Sequence, residues 1–227
     1  MHILITSAAS PLARALAATL RQEHQLRLTE VAQVGLEGEF VCSPLDHDFS
    51  TNLLVRGMEA IVHVAEPLPG ATEEQQLDYL TRGTYNLLWA AAAEGVRRVV
   101  YLSTLEVMSR YDEAFIVTER WRPRLTTEPR PLTKYLGEFV CREFAREHKL
   151  EGVVLRLGQV VQAEAVANEP FNSMWVDERD VVQAVTHALS ANVGPWSVLH
   201  IQADSPQARF PVANAKKTLG YNPTVSF

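Results

Sequence analysis

The sequence predicts an α/β protein with a parallel β-sheet that is covered by helices on both faces. Short β-like runs alternate with helical patterns over residues 1–100, and this alternation is typical of parallel sheets. Continuous apolar runs such as 99–102 also fit strands that are buried on both sides. The length of 227 residues suffices for a large core, and we expect one domain over residues 1–227.

Hydrophobic patterning and helix-stop residues predict the elements in chain order. The predicted strands are His2–Thr6, Leu26–Thr29, Phe40–Cys42, Ala60–Val64, Arg97–Leu102, Gly152–Leu157 and Val198–Ile201. The predicted helices are Pro11–Arg21, Thr51–Arg56, Glu73–Glu94, Thr133–His148, a helix that Asp177 caps, and Val212–Leu219. We expect Gly95 to cap the third helix and Gly220 to close the last one. The proline-rich segment 109–131 is predicted to form a long ordered loop.

Composition and charge exclude several functional classes. The net charge is −6 and no basic stripe is visible, so we expect no nucleic-acid partner. No apolar run approaches the roughly 18–20 residues of a membrane span, and no secretory signal is visible, so we expect no membrane partner. Cys42 and Cys141 lie far apart without a CxxC spacing. They predict free thiols in the cytoplasm, without a disulfide framework or a metal site.

Short motifs follow one another along nearly the whole chain. They are Ile3–Thr6, Val62–Ala65, Arg82–Leu88, Val96–Thr104, Thr133–Glu138, Leu155–Gly158, Trp175–Val181 and Leu219–Pro223. In this order they resemble the motifs of the NAD-dependent epimerase/dehydratase family, in the extended short-chain dehydrogenase/reductase superfamily. The resemblance implies a Rossmann-like doubly wound sheet, an NAD(P) cofactor, a small-molecule ligand, and a homodimer formed through the helices at 73–94 and 133–148.

The segment after the sixth predicted strand is short for this family. Extended members carry a substantial substrate-binding lobe there, whereas Gly158 and Trp175 are separated by only 16 residues. We therefore expect residues 159–227 to include a much reduced C-terminal substrate lobe. A sugar-nucleotide epimerase is not expected, because its pocket would be poorly enclosed.

The resemblance places a dinucleotide-binding turn at the start of the chain, but its glycines are replaced. The family's three glycines correspond to Ser7, Ser10 and Ala13. Small residues there still permit a phosphate to approach the helix N-terminus, where Pro11 and Leu12 follow. A serine at a position that needs positive φ would be strained, however. The alternative is a strand–turn–helix unit that binds no ligand.

Glu30 lies 20 residues after Ser10, at the end of the second predicted strand. An acid there bonds a ribose 2′-hydroxyl and repels a 2′-phosphate, which favours NAD over NADP. The alternative is a solvated carboxylate. Glu66 stands where the family usually has a small residue, and its charge would oppose a bound anion unless it points away. The resemblance implies further cofactor-binding residues, namely Leu45, Asp46, Val64, Ala65 and Lys134.

The resemblance also implies a catalytic centre, in which one residue type is missing. Thr104 matches the Ser/Thr that polarises the substrate oxygen, and Lys134 matches the lysine that holds the nicotinamide ribose. The tyrosine that transfers the proton is replaced by Arg130, and arginine cannot give up its proton. Tyr135 is adjacent to Lys134, but one step along a helix turns it by about 100°.

Other singled-out residues have structural explanations that we favour. We expect His63 to pack at a strand end and Trp121 to act as an apolar anchor. Arg120, Arg122, Arg124 and Arg130 surround the loop at 109–131. They would either grip an anionic ligand or, as we favour, form solvated charges that pair in part with Glu119 and Glu128.

Two functional hypotheses follow. In the favoured one, the chain is a dinucleotide-binding relative whose usual oxidoreductase activity is impaired or absent, or a non-catalytic ligand-binding or protein-interaction module. In the other, it is an active NAD-dependent oxidoreductase that uses Thr104 and Lys134 with a different acid/base.

Overall fold

The computed structural model describes residues 1–205 and 208–227. The strands are β1 (His2–Ile5), β2 (Gln25–Glu30), β3 (Glu39–Cys42), β4 (Ala60–His63), β5 (Arg98–Thr104), β6 (Glu151–Leu157), β7 (Gln159–Val161), β8 (Trp175–Asp177) and β9 (Trp196–Ile201). The α-helices are α1 (Pro11–Leu20), α2 (Phe49–Val55), α3 (Glu73–Asp78), α4 (Thr84–Ala93), α5 (Pro129–Arg146), α6 (Glu178–Ser190) and α7 (Ala213–Leu219).

Seven strands form one parallel sheet in the order β3-β2-β1-β4-β5-β6-β9. The chain runs from β1 outward to β3 and then returns to β4 on the other side of β1. The strand order therefore reverses between β1 and β4, and sheets of this type bind ligands beyond the carboxyl ends of the strands at that point. The predicted Rossmann-like doubly wound fold is confirmed.

Helices cover both faces of the sheet, because successive side chains of a strand point to opposite sides. Ile3 and Ile5 of β1 belong to a core that includes residues of α1, α6 and α7. Leu4, between them, belongs to a second core with residues of α2, α4 and α5. β5 is buried along its whole length, as its continuous apolar run predicts. The sheet therefore forms a rigid platform for the loops at its carboxyl edge.

The helix predicted over 73–94 is helical throughout but is not one regular helix. A π-helical turn, Tyr79–Gly83, separates α3 from α4. The expected cap is shifted by one residue, since Glu94 is the cap residue and Gly95 follows it with a φ of +77°. A left-handed residue there suits glycine, which has no Cβ to clash.

The prediction that the whole of 109–131 is a loop is wrong at its C-terminal end. α5 begins at Pro129, so Arg130 and Pro131 lie in its first turn, four residues before the predicted start at Thr133. Proline is tolerated in a first turn because the N–H groups there have no intrahelical partner. Arg130 and Lys134 are consequently one turn apart on the same helix.

A short parallel ribbon of β7 and β8, which the sequence did not predict, lies between β6 and α6. It falls within the segment 159–227, and its assignment to a reduced substrate lobe stays a prediction.

No helix among the described residues is both long and apolar enough to cross a bilayer. In the same part of the chain, no three His, Cys, Asp or Glu side chains are arranged to hold a metal ion. Cys42 and Cys141 are free thiols.

Candidate nucleotide crevice

The candidate site lies at the carboxyl ends of β1, β4 and β5, beside the point where the strand order reverses. Ser7 follows β1, Glu66 follows β4, and Thr104 ends β5. Arg130 and Lys134 reach this edge from the start of α5, because both contact Glu66. We call this region the crevice.

The turn from β1 into α1 is left-handed at the first of its two serines. Ser7 has a φ of +53°, which costs an L-residue roughly 1 kcal/mol. Its hydroxyl offsets part of this cost, since Oγ accepts the backbone N–H of Glu66 at 3.0 Å and lies 3.0 Å from the Tyr79 hydroxyl. Ser10 is extended, with a φ of −68°, and caps α1 by accepting the N–H of Ala13 at 3.2 Å. The strain expected from the missing glycines is therefore confined to Ser7.

The first turn of α1 leaves one backbone donor for an anion. Pro11 has no N–H, and the N–H of Ala13 is bonded to Ser10. Within residues 1–205 and 208–227, the N–H of Leu12 has no protein acceptor. The helix thus offers this N–H and the positive end of its dipole.

Glu30 ends β2 and turns its carboxylate towards the same turn. Oε2 accepts the N–H of Ala9 at 3.1 Å, and Oε1 accepts the N–H of Val31 at 2.9 Å. Burial raises the pKa of Glu30 above its ordinary value, although the two N–H groups act in the opposite direction. The alternative of a solvated carboxylate is wrong, because Glu30 is only 2% exposed.

The other predicted cofactor-binding residues follow β3 and β4. Val64 and Ala65 are fully buried, and Ala65 has a φ of +55°. Leu45 is also buried, and its carbonyl accepts the side-chain amide of Asn86 at 2.8 Å. Asp46 pairs with Arg82 at 2.9 Å in an exposed position. The role of these residues towards a cofactor stays a prediction.

Lys134 is buried, and all three of its ammonium donors have acceptors within the chain. Nζ donates to the carbonyls of Val64 at 3.0 Å and Leu102 at 2.9 Å, and it lies 3.2 Å from Oε1 of Glu66. Burial lowers the pKa of Lys134, and the charge of Glu66 opposes this effect only in part. An ammonium has three donors. None of them is left for a ribose hydroxyl or for a neighbouring phenol.

Arg130 is held in an ion pair at the position of the missing tyrosine. Two of its N–H groups bond to the Glu66 carboxylate at 2.9 and 3.1 Å, and its Nε lies 3.4 Å from the Glu106 carboxylate. We call Glu66, Glu106, Arg130 and Lys134 the ionic cluster. A bound anion would require the carboxylate of Glu66 to point away from the crevice. The carboxylate instead points into the crevice, towards Arg130 and Lys134.

The charges of the ionic cluster stabilise one another. Burial acts to raise the pKa of Glu66, but the positive charges of Lys134 and Arg130 outweigh it, and the pKa lies below its ordinary value. Burial acts to lower the pKa of Arg130, but Glu66 and Glu106 outweigh it, and the pKa is raised. Arg130 keeps its proton and cannot act as the acid/base.

Other groups near the crevice have structural partners too. Thr104 Oγ1 accepts the N–H of Glu106 at 3.2 Å and so caps the 3-10 turn that follows β5. The Tyr101 hydroxyl donates to the carbonyl of Lys134 at 3.1 Å. Tyr135 packs against an apolar cluster that contains Leu105, which agrees with its predicted rotation away from Lys134.

Three of the remaining predictions can be compared with the structure. His63 is buried between the hydroxyls of Thr6 and Thr84, at 2.8 and 2.9 Å, and so is the packing residue that we expected. Trp121 packs on the ring of Tyr111 as an anchor. The predicted pairing of the loop arginines with Glu119 and Glu128 is wrong, since neither acid forms an ion pair among the described residues. Arg130 lies in α5, and this position brings it to Glu66 and Glu106 instead.

Sequence reasoning missed Glu106 as a partner of Arg130 and Tyr79 as a partner of Ser7. It also missed that Glu66 binds Lys134. One feature of the sequence could have indicated these contacts. Arg130 and Lys134 are four residues apart and share a helix face, and two neighbouring positive charges need a negative partner. Glu66, an acid where the family usually has a small residue, is such a partner.

The crevice fits one half of a dinucleotide and not the other. On the β2 side, the N–H of Leu12 matches a phosphate, and each carboxylate oxygen of Glu30 accepts one N–H and so keeps a lone pair for a ribose hydroxyl. On the β4–β5 side, the donors of Lys134 are bonded within the chain, and Glu66 and Arg130 bond to each other. The residues on that side do not fit a nicotinamide riboside without rearrangement.

Comparisons with known proteins agree with the fold. The model of the "NAD dependent epimerase/dehydratase family" matches residues 3–177. The chain is 25% identical to L-arabinose 1-dehydrogenase (NAD(P)(+)) of Haloferax volcanii, over 98% of this chain and 96% of that protein. It is 28% identical to uronate dehydrogenase of Pseudomonas syringae pv. tomato, over 83% of this chain and 69% of that protein.

A solved structure is similar over almost the whole chain. It is a tyrosine-to-alanine variant of uronate dehydrogenase from Agrobacterium tumefaciens in complex with NAD. It superposes with a TM-score of 0.82 at 25% identity and covers 99% of this chain and 84% of that one.

Proposed function

Because the chain belongs to the NAD-dependent epimerase/dehydratase family, we propose that it binds an NAD-type adenine nucleotide in the crevice without the family's usual proton-transfer step. The proposal has two parts, a binding part and a chemical part. Each part rests on its own residues.

The β1–α1 turn and Glu30 support the binding part. The turn keeps its left-handed conformation without glycine, because Ser7 accepts a backbone N–H of the β4 loop. Leu12 offers its N–H at the start of α1, and Glu30 lies beside the turn on the β2 side. A carboxylate there repels a 2′-phosphate, so NAD is preferred over NADP.

The hydrogen bonds of the Lys134 ammonium support the chemical part of the proposal. Its three donors are bound by Val64, Leu102 and Glu66, and the acid/base position holds Arg130, which keeps its proton. The pair that gives other members their proton transfer is thus replaced by an ion pair. We infer that the usual oxidoreductase activity is impaired or absent.

A second candidate is an active dehydrogenase that acts on an aldose or a uronate with a different acid/base. The observation in its favour is the similarity to L-arabinose 1-dehydrogenase, which extends over 98% of the chain. Thr104 and Lys134 would be its catalytic residues.

One assay separates the two candidates. The purified protein is incubated with NAD⁺ and either L-arabinose or a uronate, and NADH formation is followed by absorbance, while NAD⁺ binding is measured by calorimetry. Our proposal predicts binding without turnover. Turnover of either sugar by the wild-type chain, reduced by Lys134→Met but not by Lys217→Met on the exposed surface, would establish the second candidate.

We also propose a homodimer through the outer faces of α4 and α5. Tyr85, Trp89 and Phe139 are large apolar side chains that are 42%, 51% and 47% exposed there. Tyr85 and Trp89 stack on each other, and with Phe144 they line an apolar cleft of about 350 Å³. Burial of such a face against a second copy removes apolar surface from water.

The two free thiols, Cys42 and Cys141, support a reducing compartment, and we propose that this compartment is the cytoplasm.

A further inference from the structure

The ionic cluster fills the part of the crevice that lies over β4 and β5. Glu66 stands at its centre, since its carboxylate contacts both Lys134 and Arg130 and its backbone N–H bonds to Ser7. One residue thereby joins the β1–α1 turn to α5 across the end of β4. Any ligand that crosses from the turn to α5 has to pass this residue.

The cluster offers a ligand no net charge, and it leaves no free donor on Lys134. Two carboxylates, of Glu66 and Glu106, face two cations, of Arg130 and Lys134. A ribose hydroxyl can bond to Lys134 only if one of the existing acceptors is given up. The Lys134–Glu66 contact is the one to break, because the two backbone carbonyls are fixed in the sheet and its loops. Breaking it leaves an uncompensated charge in a largely buried place, which is costly.

The β2 side of the crevice is not blocked in this way. Glu30 and the first turn of α1 lie on the other side of Ser7 from the cluster, since β2 and β4 flank β1 on opposite sides. A nucleotide that ends at its second phosphate meets only this side. A dinucleotide must in addition place its second riboside against Glu66.

We propose that Glu66 is a specificity-determining residue that excludes a nicotinamide riboside, so that ADP binds to this chain at least as tightly as NAD⁺. This inference rests on the proposed function, because it concerns the same crevice. It also names the chemical class that the crevice prefers, an adenosine diphosphate rather than a complete dinucleotide.

Calorimetric titration with ADP and with NAD⁺ tests the inference on the wild-type chain and on Glu66→Ala. In the wild type, we expect the Kd for ADP to be equal to or lower than the Kd for NAD⁺. In Glu66→Ala, one donor of Lys134 becomes free towards the crevice, and we expect the Kd for NAD⁺ to fall by about tenfold relative to that for ADP. Glu66→Ser, whose hydroxyl is too short to reach Lys134, is expected to behave in the same way and serves if Glu66→Ala does not fold.

Glu106→Ala is the matched control. It removes a negative charge from the same cluster, but Glu106 bonds to Arg130 at 3.4 Å and leaves the Lys134–Glu66 contact intact. We expect it to keep the ratio of the two Kd values within about twofold of the wild-type ratio. A change as large as that in Glu66→Ala would mean that net charge, and not the release of Lys134, sets the ratio, and would overturn the assignment.

The outcomes also separate this inference from the proposed function. If NAD⁺ binds the wild type more tightly than ADP, or if the Glu66 variants leave the ratio unchanged, the role of Glu66 is wrong while nucleotide binding stands. If neither nucleotide binds any of the folded proteins, the proposed function itself is wrong.

Discussion

Lys134→Met distinguishes a structural lysine from a catalytic one. A catalytic lysine is commonly held at some cost to stability, so its removal leaves the fold unharmed or makes it more stable. In this chain Lys134 instead joins the β4 loop, β5 and Glu66 from α5. Its replacement by an apolar side chain of similar length removes three charge-assisted contacts at once.

The expected loss of stability follows from these contacts. Breaking a buried ion pair by removing one partner costs about 3–5 kcal/mol, and the lower end applies because Glu66 is one-quarter exposed. The loss of the buried ammonium's own desolvation penalty acts against this cost. We therefore expect about 3 kcal/mol of destabilisation, which in a chain of 227 residues lowers the Tm by about 6–12 °C.

Urea denaturation and thermal melting of the ligand-free protein measure the effect. Lys217→Met is the control, since Lys217 is exposed on α7, and we expect it to leave the free energy of unfolding within about 0.5 kcal/mol of the wild-type value. The double variant Lys134→Met/Glu66→Leu removes both ends of the pair and is expected to recover part of the loss. If Lys134→Met is as stable as the wild type or more stable, the lysine is not a structural residue.

Three other predictions concern the turn, the buried histidines and the helix face. Ser7→Gly and Ser7→Ala both lose the hydroxyl contacts, but only Ser7→Gly also relieves the left-handed strain. In chemical denaturation, Ser7→Gly should therefore be more stable than Ser7→Ala by about 1 kcal/mol. Equal stabilities of the two variants would contradict this prediction. Burial lowers the pKa of His63 and of His200 to about 3, with Lys134 and Arg156 contributing respectively. Between pH 3 and 6.5 the unfolded chain therefore binds more protons than the folded chain, and each histidine should remove about 2 kcal/mol of stability from pH 7 to pH 5. His200→Leu, which loses no hydrogen bond from the ring, should remove its share of this acid sensitivity, and an unchanged pH profile in urea titrations would refute the assignment. Trp89→Asp should convert the proposed dimer into a monomer with a sedimentation mass near 25.3 kDa. If the wild-type chain already sediments at that mass, it is a monomer and the proposed dimer is wrong.

The sequence predicts most of the fold because its signals there are local. The apolar run of β5 and the alternation of strands with helices determine a parallel sheet without any knowledge of distant contacts. The errors occur where a local signal is ambiguous. Pro129 and Pro131 indicate a loop as well as they indicate the first turn of a helix, and only the structure shows that α5 begins there.

The candidate site is less predictable, because its contacts join residues that are distant in sequence. The order of motifs places Lys134 and Thr104 near one another, and it identifies Arg130 as the residue in the tyrosine position. It does not show that Glu66 binds both Arg130 and Lys134, since a pair separated by 64 residues leaves no periodic pattern. The sequence also leaves the conformation of Ser7 undecided. Its positive φ depends on two distant contacts of its hydroxyl, which accepts the Glu66 N–H and lies beside the Tyr79 hydroxyl.

We propose that the crevice binds an NAD-type adenine nucleotide even though its glycines are replaced. The most direct measurement is calorimetric titration of the ligand-free protein with NAD⁺, NADH, NADP⁺ and NADPH, after a check that no nucleotide has been purified with it. We predict saturable binding of NAD⁺ and NADH and weaker binding of both 2′-phosphorylated forms, because Glu30 lies at the end of β2. If none of the four forms binds the folded protein at millimolar concentration, the crevice is not a nucleotide-binding site.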